Sequence, residues 1–285
     1  MSGLWHRFLL AQDYAIINPL QVDASLWEDL PTLALEPAAL VEQADLMPRL
    51  LTFQDISQTQ RLELIERAKT HQKHSAPPYF SALIESKSPK EQMQQRLSQR
   101  LLVDGPDGKK GLLRYFDPRV FMHLRWLLDN KQMSLLLFDI DCWHWPDSKG
   151  NWHDFKSPET VAYSTLRLSE SQWQTLTTLG WLNRLLKQLG TDPALDTTEP
   201  QLARTALSHL QTAQQLGLKG KDDCCLYAKQ STLFTPRIHQ HPDLQTRLNS
   251  ALSGDISYTS ACAKLSDSTL TQYLKELHQP EGMKA

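Results

Sequence analysis

Glycine is scarce in this chain, 11 in 285 residues, and the glycines do not gather into a loop. A phosphate cradle needs clustered glycines so that backbone N–H groups can approach the anion. That class of nucleotide site is therefore not expected. No Gly-x-Ser-x-Gly elbow is present either. Cysteine is equally sparse. Cys142, Cys224, Cys225 and Cys262 follow no disulfide spacing, and buried free thiols are the expectation in a reducing compartment. Excess charge is lacking too: 30 basic against 32 acidic residues leave a formal net charge of −2. Nothing in that balance points to nucleic acid or an anionic membrane. No apolar run approaches the ~18 residues of a membrane span. The N-terminal apolar patch is broken by His6 and Arg7 and lacks a signal-peptide core. A cytoplasmic location without membrane insertion is the expectation.

What the chain has is 40% hydrophobic residues, enough for a packed core. Tyr14–Asn18 reads as a short buried strand stopped by Pro19. Residues 23–43 read as short helices and turns, and Leu46–Phe53 as an edge strand or irregular segment. Thr59–Lys73 carries Leu62, Ile65 and Ala68 at helical spacing. Tyr79–Glu85 reads as a strand. A helix then opens at Ser88-Pro89 and buries Met93, Leu97 and Leu101. Ser134–Trp145 reads as an apolar strand, with a turn at Pro146–Gly150 and a hairpin return over Asn151–Phe155. From Ser169 onward the periodicity is helical, beginning with a capping-box pattern, Ser169 to Gln172. A linker is expected over 190–199 and a loose tail over 280–285. The fold class is α+β: an N-terminal α/β lobe, 1–157, with a small mixed sheet flanked by helices, then an all-helical lobe, 158–285.

The centre of this organisation is Gly111–Phe121. Leu112–Phe116 reads as a strand carrying Arg114. Asp117 is a natural N-cap and Pro118 a natural first helical residue. Phe121, Leu124, Trp126, Leu127 and Leu128 then follow at helical spacing. The run Leu113-Arg-Tyr-Phe-Asp-Pro-Arg-Val120 resembles the signature of the type VI secretion effector adaptor (chaperone) family, and the order of elements over roughly residues 10–155 is similar as well. The resemblance implies a protein that binds an effector toxin in the cytoplasm and promotes its loading onto a spike protein of the VgrG or PAAR type. It implies no enzyme activity and no cofactor. Tyr115, Phe116, Asp117 and Pro118 are then structural members of the signature. Arg114 and Arg119 are candidates for partner contact. Trp143, Trp145 and Trp152 form either hairpin packing or an aromatic patch for a partner.

Two other readings compete. Leu135–Asp141 ends in Asp-x-Asp and looks like the first motif of haloacid-dehalogenase-type phosphatases. Asp139 and Asp141 would act beside Mg²⁺, and Asp222-Asp223 with Lys219 or Lys221 would complete the site. Against this, Cys142 and Trp143 follow where a small hydroxyl residue is wanted, and strands are wanting after residue 156. A helical docking scaffold unrelated to secretion is the other alternative. Cys142, His144 and His153 match no closed zinc spacing. His71 with His74, and His239 with His241, are read as structural or surface pairs. No catalytic or metal residue is therefore assigned.

Overall fold

The computed structural model describes residues 7–72, 77–106, 108–147, 149–158, 165–190 and 200–278. His74, most of the expected linker (191–199), residues 159–164 of the expected lobe junction, and the tail from 279 lie outside them. The chain divides into two compact units, one ending at Gln174 and the other beginning at Thr175.

The first unit is built on a six-stranded sheet. Its strands are β1 (Tyr14–Ile17), β2 (Thr32–Ala34), β3 (Arg49–Thr52), β4 (Ala82–Glu85), β7 (Cys142–Pro146) and β8 (Trp152–Lys156), in the order β2-β3-β1-β4-β7-β8. Every ladder of this sheet is antiparallel, and helices follow it, as the α+β class requires. A separate two-stranded ribbon pairs β5 (Leu102–Asp104) with β6 (Lys110–Leu112). β1 is buried along its whole length because it has neighbours on both edges and packing on both faces. Leu46–Phe53 is not an edge: β3 lies between β2 and β1. Arg49 stays tolerable there because its guanidinium lies over the Trp27 ring, 5.3 Å from the centroid.

Strand alternation sorts the side chains onto two faces. On one face, Ala15, Ile17, Leu51 and Leu83 pack with Leu64, Ile65 and Ala68 of α1 (Gln58–Gln72), and Phe8 and Trp152 close the rim. The other face carries Trp143, Trp145 and Phe155, all grouped around Phe121 of α3 (Pro118–Leu127). α2 (Lys90–Arg100) buries Met93 and Leu97 as expected, but its N-cap is Pro89 rather than Ser88.

The apolar run before Trp143 is not one strand. Asp129 and Gln132 form a capping box, and Asn130–Leu136 is a helix, α4. The chain turns through 137–141 and enters β7 at Cys142. Three successive leucines without alternation fit a buried helix as well as a strand, and the cap decides.

α5 (Glu170–Gln188) begins with the expected box. Ser169 N–H donates to Gln172 Oε1 at 2.9 Å, and Gln172 N–H to Ser169 Oγ at 3.2 Å. The second unit holds α6 (Gln201–Gln215), α7 (Lys221–Leu233), α8 (Pro242–Ser253), α9 (Tyr258–Cys262) and α10 (Asp267–His278). Its described residues contain no strand. α6 presents Ala203, Ala206, Leu207, Leu210 and Ala213 as one buried stripe, and Gly217 ends it at φ 103°, a conformation open to glycine. All four cysteines are free and buried.

Candidate functional site

The signature is a helix start clamped by two arginines. Asp117 sits at the N-cap in extended geometry and accepts the Arg119 backbone N–H at 3.0 Å. Pro118 follows at the first helical position, where its missing N–H costs nothing. The same carboxylate receives Arg119 as a fork, Nε to Oδ1 at 3.0 Å and Nη2 to Oδ2 at 2.8 Å. Arg114 Nη2 adds a third side-chain donor to Oδ2 at 3.0 Å. The Asp117 side chain is 3% exposed, whereas that of Arg119 is 61% exposed. The acid is thus interior and structural, and the arginine holds it from the surface. Its hydrogen bond to Asp117 pushes the Arg119 guanidinium further above its ordinary value.

The expected strand over Leu112–Phe116 ends at Leu112. Leu113–Asp117 is a run of turns, with Tyr115 N–H bonded to Leu113 O and Asp117 N–H to Arg114 O, both at 2.9 Å. Those local bonds replace a ladder and aim Tyr115 and Phe116 inward. The Tyr115 hydroxyl donates to Leu97 O at 2.8 Å, and burial pushes the phenol up.

The aromatic hairpin splits in two. Trp143 is 0% exposed and Trp145 1%. Trp143 stacks on Phe121 at 5.2 Å, and Arg125 lies 5.0 Å from the Trp145 centroid. Neither indole offers a surface to a partner, because the signature helix covers this face of the sheet. They are hairpin packing. Trp152 lies on the opposite face, half-buried, with its ring 5.8 Å from Phe8.

The Asp-x-Asp pair does not end a strand. Asp139 sits in a turn at φ 64°, and its carboxylate meets Arg96 and accepts Ser88 Oγ at 3.3 Å. Arg96 also lies over Phe138, 4.8 Å from the ring centre. Asp141 is exposed. In the second unit Asp222 pairs with Arg184 at 2.6 Å, and Asp223 accepts from the backbone and hydroxyl of Thr259.

The histidines also part. His153 faces the signature side, stacked on Trp145 and 3.1 Å from Asp147. Cys142 and His144 share the other face, and the register places Glu85 directly opposite Cys142. Donor atoms of Glu85, Cys142 and His144 lie within 4.8 Å of one another. Linear spacing did not reveal this group, because Glu85 comes from a different strand.

An antiparallel sheet with a clamped turn and a covering helix defines an α+β domain whose signature serves architecture first. Residues 14–135 match the family described as Domain of unknown function (DUF4123), a family associated with type VI secretion effector adaptors. The match lies within the first unit and includes the whole signature. No curated protein and no solved structure matches the chain.

Proposed function

We propose that this protein is a type VI secretion adaptor that binds an effector toxin in the cytoplasm and hands it to the spike. The observation that carries this reading is the family match over 14–135, which includes the Arg114–Asp117–Arg119 clamp. An adaptor must hold another polypeptide and release it, which calls for a rigid frame with accessible polar and apolar groups. The buried Asp117 supplies rigidity, and the partly exposed Arg119 side chain brings a cation to a fixed place. Arginine is enriched where interfaces concentrate their energy. In this reading Arg119 contacts the effector, and the protein has no turnover of its own.

Co-purification of the full chain with the toxin encoded beside it tests the proposal. Arg119→Glu is expected to cut recovery of the toxin about tenfold or more and to lower the melting temperature, because it sets a second carboxylate beside the buried Asp117. Arg119→Gln, which keeps a side-chain donor there, is expected to lose the toxin at a nearly unchanged melting temperature. Unchanged recovery with Arg119→Glu would remove Arg119 from the interface. Failure of the wild-type chain to recover any neighbouring toxin or spike protein would sink the adaptor reading. Mg²⁺-dependent hydrolysis of a generic phosphate ester, lost in Asp139→Asn, would replace it with the phosphatase reading.

A further inference from the structure

We propose that Glu85, Cys142 and His144 form a zinc-binding site on the seam between β4 and β7. Side chains two apart on a strand share a face, so Cys142 and His144 project together. Antiparallel pairing puts Glu85 opposite Cys142 and Leu83 opposite His144. All three donors therefore rise from one patch of sheet whose backbone is fixed by ladders on both sides of β7. His144 Nε2 lies 2.8 Å from Glu85 Oε1, and the three donor atoms fall within 4.8 Å of one another. Zinc bonds of ~2.0–2.3 Å in tetrahedral array require donor separations of roughly 3.3–3.8 Å. Small side-chain rotations reach that geometry without moving a strand.

The donor set selects the ion. Thiolate, imidazole and carboxylate together suit zinc, whereas magnesium and calcium take oxygen ligands. The surroundings suit a cation too. Gln12 Nε2 lies 3.5 Å from Glu85 Oε1 and steadies that carboxylate. The Phe8 ring meets the His144 ring edge-on at 5.1 Å and holds its plane. On β8, Asp154 lies directly across from His144 and Lys156 directly across from Cys142, so the strand adds one charge of each sign on the same face. Cys142 and His144 are buried, but the Glu85 side chain is 42% exposed. An ion can enter from that side and keep a water in its fourth position. The site joins two strands of the first unit and is independent of whether the protein carries an effector.

Zinc titration of the chelator-treated full chain tests this, with cobalt(II) as a spectroscopic probe. The expected result is one ion per chain and a melting temperature raised by about 3 °C or more at saturating zinc. Cobalt should give a sulfur-to-metal charge-transfer band and the intense visible bands of low coordination. Cys142→Ser should abolish the charge-transfer band, and Glu85→Gln should weaken zinc binding about tenfold or more. The exposed Glu85 side chain makes the second variant informative even if the first folds poorly. Absence of both the melting shift and the band would overturn the proposal. So would zinc affinity that is unchanged in Glu85→Gln, which would place the ion on other histidines.

Discussion

Asp117 combines two roles that residue-level arguments usually keep apart. It caps a helix, and it neutralises two guanidinium groups at a buried carboxylate. Removing the cap alone costs ~1 kcal/mol. Both arginines reach solvent, so losing the acid strands no buried cation. Asp117→Ala is therefore expected to destabilise by about 2 kcal/mol, and Asp117→Asn, which keeps the cap, by about half that. Chemical denaturation of both variants measures the difference. His239 makes a second residue-scale case. Its Nε2 lies 3.1 Å from Ser231 Oγ and its Nδ1 3.2 Å from Tyr258 Oη, while Tyr258 donates to Gln230 Oε1 at 2.8 Å. Nε2 also lies 3.3 Å from Tyr227 O, which only accepts, so the neutral imidazole carries its hydrogen at Nε2. Burial pushes His239 down to about 4. The unfolded chain takes up this proton near pH 6.5 and the folded chain does not. The unfolded state thus binds more protons between those values, and stability falls as pH drops through the window. The loss reaches up to about 3 kcal/mol near pH 4. Melts from pH 7 to pH 4.5 should show this slope, and His239→Phe should flatten it whatever its effect at neutral pH.

Elements here are joined by close approaches that a pattern of apolar residues does not display. Gly111 in the β6 ribbon has no side chain because Trp173 of α5 lies against it: an added Cβ would come within 2.5 Å of the indole. A Cβ added at Gly105 would come within 3.0 Å of the same ring. Gly111→Ala is expected to cost about 1–3 kcal/mol through overpacking. The penalty should largely vanish in a Trp173→Ala background, and a double-mutant cycle of unfolding free energies reads that coupling. Near-additive effects would show that the ribbon yields instead. Trp173 belongs to the first unit, which ends at Gln174. Helices were legible where a local signal marks a terminus: Asp117-Pro118 and Ser169 with Gln172 at starts, and Gly217 at the end of α6. The strand expected over Ser134–Trp145 opens on the last residues of a helix because unbroken apolar residues carry no period, and the Asp129 cap lies just outside the run.

For the whole molecule, an adaptor and an enzyme ask different things of one sheet. The signature helix packs on the tryptophans, so that part of the sheet holds the frame together rather than forming a groove. Among the polar groups that reach solvent are the Arg119 guanidinium beside the turn and the Glu85 carboxylate at the β4–β7 seam. The sequence by itself determined the order of lobes, the capped turn and most helices. Each of those depends on residues a few positions apart, whose caps, breakers and periodicity act locally. Tertiary structure decided that β3 is interior, that Trp143 and Trp145 are buried, and that Glu85 meets His144 across 59 residues. Those outcomes depend on register between distant strands, and a slip of one residue would send every side chain of a strand to the opposite face.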